Sequence, residues 1–191
     1  MYPKALWRMD ASEHSVYLTF DDGPIPEATP FILDTLKEFN AKATFFVVGE
    51  NVKRHPELLE RIIAEGHRVG NHTYNHIGSL RHLTSTYMKN VEKCNELIHS
   101  DLFRPPHGWM LHLVYNLCAR KYKIVMWDLV TRDYSHLLNA FDVLRNVVLY
   151  ARNGSIITFH DSLKSIEKLR YALPASLRYL QDQGYEFKTI P

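Results

Sequence analysis

Short apolar, β-rich runs alternate with stretches of helical periodicity about seven times along this chain, and that alternation limits the fold more than any other feature. The run Tyr17-Leu18-Thr19-Phe20 ends in Asp21-Asp22-Gly23-Pro24, where Gly-Pro stops regular structure. Residues 26–40 read as a helix, with Pro26 in the first turn and Phe31, Ile32, Leu36 and Phe39 at helical spacing. A strand over residues 42–48 follows, ended by Gly49, and then a helix over 57–65. The series continues with a strand at 67–72, a helix at 84–99, a strand at 102–104 and a helix at 111–120. After these come a strand at 123–129, a helix at 140–152, a strand at 155–159, a helix at 166–182 and a closing run at 185–189. Helices between successive strands imply parallel pairing through right-handed crossovers, so the class is α/β. Periodicity fits an open doubly wound sheet and a closed barrel equally. No linker or low-complexity segment interrupts the pattern, so residues 1–191 are expected to form a single domain.

Charge narrows the partners. Lys and Arg number 23 against 21 Asp and Glu, a net charge of +2, which lacks the footprint of a nucleic-acid binder. Cys94 and Cys118 form no Cys-x-x-Cys and fall in amphipathic helices, so both are expected as buried or semi-buried free thiols. The first 15 residues hold Lys4, Arg8, Asp10 and Glu13 and no apolar core of signal-peptide length, and no apolar run approaches a membrane span. A cytoplasmic chain is the expectation, unless a leader has been removed. Nothing in the sequence indicates an oligomeric state.

Polar clusters fall at the strand ends, the face where α/β folds build their sites. Asp21 and Asp22 are adjacent carboxylates, and packing two anions together costs free energy unless a cation intervenes. Neighbours at a strand end point in different directions, so the two need not share a role. A plain turn between strand and helix is the alternative. His72 and His76 stand four apart, a spacing that on a helical turn puts both imidazoles on one face; with 11 histidines in the chain, such a pair also arises by accident. One carboxylate with two imidazoles makes a three-ligand site with open positions, suited to zinc or a similar divalent ion that acidifies water and polarises a carbonyl. The aspartate not used as ligand is then available as general base.

Three further clusters follow. Arg104 precedes Pro105-Pro106-His107-Gly108, where the prolines fix the backbone so that the His107 and Gly108 amides can serve as oxyanion donors and Arg104 can pair with an aspartate. In Trp127-Asp128-Leu129-Val130-Thr131-Arg132-Asp133-Tyr134, acids again fall at a strand end, where Asp128 and Asp133 can simply cap the following structure. His160-Asp161 ends the strand at 155–159, and a histidine there, oriented by Asp133, suits a general acid for a leaving amine.

The spelling and order of these clusters resemble the polysaccharide deacetylases, carbohydrate esterase family four, also called the NodB-homology domain. The resemblance is carried by Thr19-Phe20-Asp21-Asp22-Gly23-Pro24, Lys42-Ala43-Thr44-Phe45-Phe46-Val47-Val48-Gly49, Gly66-His67-Arg68-Val69-Gly70-Asn71-His72-Thr73-Tyr74-Asn75-His76, Phe103-Arg104-Pro105-Pro106-His107-Gly108 and His160-Asp161. It runs from about residue 16 to the C-terminus and implies a distorted (β/α) barrel of about seven strand–helix units. The implied activity is metal-dependent hydrolysis of N-acetyl groups on amino sugars in chitin-like or peptidoglycan polymers. By the same resemblance Asp22, His72 and His76 hold the metal, Zn2+ or another divalent ion such as Co2+, and Asp21 is the base. Arg104 orients Asp21, the His107 amide completes the oxyanion hole, and His160, tuned by Asp133, protonates the amine. The implied partner is a carbohydrate, with Trp109, Trp127 and Tyr134 as candidates for stacking on sugar rings. Three positions depart from the family pattern: His107 in place of a frequent tyrosine, Tyr134 in place of tryptophan, and Thr158 in place of leucine. A lipid-linked or small soluble amino sugar is the alternative substrate, and a non-catalytic carbohydrate-binding relic the alternative role.

Overall fold

The computed structural model describes residues 2–191. Along the chain the elements are β1 (Ser15–Asp21), α1 (Thr29–Glu38), β2 (Ala43–Val47), α2 (Gly49–Arg54), α3 (Pro56–Ala64), β3 (Arg68–Asn71) and α4 (Thr84–Ile98). They continue with β4 (Leu102–Phe103), α5 (His112–Cys118), β5 (Lys123–Ile124), β6 (Leu129–Val130), α6 (Ala140–Tyr150), β7 (Ile156–His160), α7 (Ile166–Asp182) and β8 (Glu186–Phe187). Every strand pairing is parallel, in the order β5-β4-β3-β2-β1-β7-β6, with β8 adding to β1.

The two ends of that order are neighbours in the chain. β5 and β6 are joined by residues 125–128, which span at most about 18 Å when extended. The sheet therefore has to curl until its edges lie that close, which makes it a distorted barrel rather than an open sheet. The joining residues stitch the gap: Val125 N–H donates to Phe103 O, Met126 N–H to Leu6 O, and Asp128 N–H to Ile156 O. The expected single strand over 123–129 is thus two short strands on opposite edges of the sheet, because four residues in its middle must cross from one edge to the other.

Side-chain alternation along β1 and β7 sorts the two faces. Val16, Leu18 and Phe20 on β1, with Ile157 and Phe159 on β7, face outward into a core shared with Ile32, Leu36, Val147, Leu169 and Leu173 of the surrounding helices. Tyr17 and Ile156 face inward and pack with Phe46, Leu102 and Val125. By the same period Thr19, Asp21, Thr158 and His160 belong to the inner face, and the register pairs Thr19 with Thr158 and Asp21 with His160.

Two local expectations need correction. The first helix begins at Thr29 rather than at residue 26, because the Ile25 N–H is taken by Thr29 Oγ1 at 2.7 Å in a turn and the first-turn proline is Pro30. The helix α2 was not foreseen; six residues are too few for an apolar stripe to show. Both cysteines are buried and free, as expected.

Candidate active site

The site lies at the C-terminal ends of the strands, around a cavity of about 890 Å³. It is lined by all the metal and catalytic residues expected from the sequence except the two supporting ones, Arg104 and Asp133.

Asp22 follows β1 with φ 82°, a left-handed conformation that turns its carboxylate away from the direction of Asp21. Asn51 of α2 fixes that turn, its Nδ2 donating to Asp22 O at 2.8 Å. The two histidines do not lie on a helix. His72 follows β3, and the chain then turns through Thr73 (φ 68°) and His76 (φ 57°), so two left-handed residues, not helical pitch, bring the imidazoles together. Asn90 of α4 holds this loop: its Oδ1 accepts from Tyr74 N–H at 2.8 Å, and its Nδ2 donates to Asn75 Oδ1 at 2.7 Å. The outcome is a tight cluster. Asp22 Oδ1 lies 3.2 Å from His76 Nε2 and 3.7 Å from His72 Nε2, and one ligand atom from each of the three residues falls within 4.8 Å of the others.

Protonation agrees with a cation site. His72 is fully enclosed, and burial pulls its imidazole down to about 4 despite the nearby aspartates. A neutral ring carries one proton, and Nδ1 donates it to Arg104 O at 2.8 Å, which leaves a lone pair on Nε2 pointing into the cluster. Burial pushes the Asp22 carboxyl up, but the His76 hydrogen bond and the charges that His72, His160 and His76 carry at the low pH where it titrates outweigh it, so it stays well below the usual carboxylate range. A neutral imidazole lone pair, a second imidazole and an ionised carboxylate fit the donor set of a divalent ion with positions left open.

Asp21 is buried against Arg104, whose Nη1 donates to Asp21 Oδ1 at 2.7 Å and to Thr19 Oγ1 at 2.8 Å. Arg104 is itself completely enclosed. Its Nε and Nη2 donate to Val125 O and Met126 O, and its guanidinium lies 4.1 Å from the Phe46 ring centre. Burial pulls the guanidinium down from its ordinary value, and Asp21 is the charge that opposes this. Through its carbonyl Arg104 positions His72, and through its side chain Asp21. Among the described residues, Asp21 Oδ2 takes no protein donor.

Across the β1–β7 pair, Asp133 holds His160 twice: Oδ2 accepts its backbone N–H at 2.7 Å, and Oδ1 accepts from ring Nδ1 at 2.8 Å. Asp133 is buried, and Lys168 fixes its loop by donating to the carbonyls of Asp133 and Ser135. Burial lowers the His160 imidazole, but the Asp133 bond and charge, helped by Asp21 and Asp22, raise it to about 9. Its Nε2 is the free end. Tyr134 closes over the ring edge-on, with centroids 4.7 Å apart.

The Pro105-Pro106 turn presents His107 at φ 62°. Gly108 N–H is committed to Pro105 O, so of the two amides expected as oxyanion donors only that of His107 lacks a protein acceptor among the described residues. The His107 ring packs edge-on against His76, and burial lowers its imidazole. Asp128 belongs elsewhere: it accepts from Arg152 and Ser155, a structural pairing away from the cavity. Trp127 lines the cavity beside Gly108, and Trp109 is two-thirds exposed.

Asn51, Asn90, Thr19 and Lys168 were not singled out by the sequence. Each acts through hydrogen bonds to residues at least 15 positions away, which leave no local pattern to read.

The family model described as polysaccharide deacetylase matches residues 8–124. A peptidoglycan-N-acetylglucosamine deacetylase of Bacillus cereus is 33% identical over 192 residues, covering 96% of this chain and 90% of that protein. A chitooligosaccharide deacetylase of Bradyrhizobium is 32% identical over 93% of this chain and 89% of its own length. Some curated relatives are longer, and the chain spans 38% of one of them. Among solved structures, the Bc1960 peptidoglycan N-acetylglucosamine deacetylase in complex with 4-naphthalen-1-yl-N-oxidanyl-benzamide superposes with a TM-score of 0.87 at 32% identity, covering 97% of this chain and 90% of that one. With strand order, cluster and sequence in agreement, the chain belongs to the polysaccharide deacetylase family.

Proposed function

We propose that this chain hydrolyses the N-acyl amide of an amino sugar, acetyl in the simplest case, within a glycan of the peptidoglycan or chitin type. The observation that carries the reading is the pairing of Asp21 with His160 across neighbouring strands: one is anchored by a cation, the other by an anion, and both face the cavity of the Asp22–His72–His76 cluster. A base and an acid kept apart by their surroundings are what cleavage of an amide by water requires.

Asp22, His72 and His76 would hold the divalent ion, with zinc expected and cobalt a suitable substitute. When bound, the ion supplies Lewis acidity and a water that ionises near neutrality. Asp21 receives the proton of the attacking water at Oδ2, because Arg104 keeps Oδ1 and so fixes which oxygen accepts. As the amide carbon becomes tetrahedral, its oxygen gains charge, and the free N–H of His107 is the chain's own donor for it. His160 gives the Nε2 proton to the nitrogen; the C–N bond then breaks to a neutral amine, and Asp133 stabilises the imidazolium until that transfer. Trp109, exposed next to His107 and Gly108, offers a face for a sugar ring.

A lipid-linked amino sugar is a second reading. Leu137 and Leu163 line the cavity while 88% and 65% exposed, and Lys164 lies beside them. Among the described residues no helix is long and apolar enough to cross a membrane, and the cytoplasmic location expected from the sequence is tested by fractionating cells that express the chain.

The test is amine release from N-acetylated chito-oligosaccharide and from peptidoglycan by metal-stripped protein, with and without zinc or cobalt. Release restored by metal, and abolished by His72→Ala together with metal binding, is the expected result. Failure to bind either metal would sink the reading, and turnover confined to a lipid-linked amino sugar would move the substrate.

A further inference from the structure

The hydrolytic reading leaves open which acyl group the cavity is built for, and the inner face of the barrel bears on this. Asp21 and His160 stand at the strand ends and Thr158 lies one step deeper on the same wall, almost fully buried, so the small acyl substituent rather than the sugar ring is the part that reaches inward. Two residues back along β7 from His160, on the same face, stands Thr158, which is 1% exposed and lines the cavity. Two residues of strand span roughly 6–7 Å, about the reach of a two-carbon acyl group plus one hydrogen bond. Val130, the register partner of Thr158 on β6, lines the cavity with it and is apolar toward a short carbon chain.

Hydrogen-bond accounting shows what the Thr158 hydroxyl has to offer. Thr19 Oγ1 accepts from Arg104 Nη1 at 2.8 Å, donates to Ile157 O at 3.1 Å, and lies 3.1 Å from Thr158 Oγ1. Thr19 has one proton. With that proton on Ile157 O, Thr158 must donate to Thr19, and its own lone pairs have no protein donor among the described residues. With the Thr19 proton turned to Thr158 instead, Thr158 keeps a free proton of its own. A methyl group answers neither arrangement. A hydroxyl answers both, since it donates and accepts.

We propose that Thr158 makes this deacylase selective for an N-acyl group bearing a hydroxyl on its second carbon, the hydroxyacetyl (glycolyl) amide, over plain acetyl. This rests on the hydrolytic reading above. The reaction is the same balanced hydrolysis: the water oxygen bonds to the acyl carbon, the C–N bond breaks, and the nitrogen gains the proton, giving free amine and glycolate.

The experiment compares kcat/KM for matched N-glycolyl and N-acetyl chito-oligosaccharides on the zinc-loaded enzyme and on Thr158→Val and Thr158→Ser. One good hydrogen bond in a closed site corresponds to roughly three- to tenfold. The wild-type enzyme is expected to favour the glycolyl substrate by that factor, Val to bring the ratio to one or below, and Ser to restore it. The Val side chain keeps the shape of threonine, and a ratio between two substrates does not move with a uniform loss of folded protein. Hydrolysis of both substrates with a wild-type ratio at or below one overturns the inference and leaves the deacylase reading standing. A glycolyl preference that persists in Val also overturns it, because the hydroxyl would not be its source. Where neither chito-oligosaccharide is cleaved, the same two acyl groups are compared on the glycan or lipid-linked amino sugar from which amine is released, and release from none of them overturns the deacylase reading and the inference together.

Discussion

Replacing Asp133 by Asn tests how the acid half of the site is built. The carboxylate accepts two hydrogen bonds from His160, one from the backbone N–H and one from the ring, on separate oxygens. An amide has a single acceptor oxygen, so one of those N–H groups loses its partner inside the protein, at a cost of about 1–3 kcal/mol. The ring also loses the charge that offsets its burial. The His160 imidazole, raised to about 9 in the native protein, is then left to burial, the largest influence on it, opposed only by the charges of Asp21 and Asp22, and it should titrate at or below the ordinary value of 6.5. At pH 7.5 the protonated fraction would fall from roughly 97% to under 10%, so kcat/KM should drop at least tenfold and recover in part at lower pH. Stability follows the same linkage. A histidine whose folded value is raised contributes stability that is complete below pH 6.5 and is lost as pH rises through about 9. The shift corresponds to about 3 kcal/mol, on a side chain only 16% exposed. The stability gap between native protein and variant should therefore be widest in acid and narrow between pH 6.5 and 9. NMR titration of the His160 ring in the metal-free proteins, with urea unfolding at several pH values, measures both effects. A variant imidazole still titrating near 9, or a gap that does not change with pH, would refute the argument.

Three further outcomes follow from the same contacts. Asp21→Asn leaves the enclosed Arg104 without its counter-charge, so beyond a loss of activity of at least a hundredfold it should cost about 3–5 kcal/mol in urea unfolding; a variant as stable as the parent would contradict the ion-pair account. Gly70→Ala would place a Cβ 2.5 Å from the Phe46 ring on which Arg104 lies; a loss of about 1–3 kcal/mol with reduced turnover is expected, and unchanged melting and activity would show that the ring has room to move. Asp161 is buried, and burial raises its carboxyl to about 8, so it subtracts from stability as pH rises from about 4 through 8; Asp161→Asn should flatten that decline in thermal melts across the range, and a decline of the native size in the variant would place its origin elsewhere.

Much of the site was readable because strands impose a period of two. Once Phe20 and Phe159 were apolar strand residues, the next residue of each strand, Asp21 or His160, had to face the other way, and the parallel register sets these two opposite each other. The helices followed from their apolar stripes, save α2, which is too short to carry one. For His72 and His76 the spacing was informative while its expected cause was not: the rings meet through left-handed turns at Thr73 and His76 that Asn90 ties down, and no local rule for a four-residue interval contains that geometry. The split of the run at 123–129 was likewise hidden, since a strand that ends because its sheet has curled back on itself carries no breaker residue of its own.

Arg104 beside Asp21 and Asp133 beside His160 were expected and are found, whereas the remaining supports of the chemistry were invisible for a common physical reason. Arg104 was legible as an arginine beside two prolines, yet what it does is set by Thr19, Asp21, Val125, Met126 and His72, which converge only after the sheet has closed. Its guanidinium is costly to enclose, and that cost is offset only while each donor keeps its acceptor. The contact that positions Asp21, the proposed base, and the contact that positions the His72 imidazole, a proposed metal ligand, therefore depend on one buried residue. A change anywhere in this network, Gly70 under Phe46 included, should disturb Asp21 and His72 together, so that turnover and metal affinity fall in parallel rather than separately.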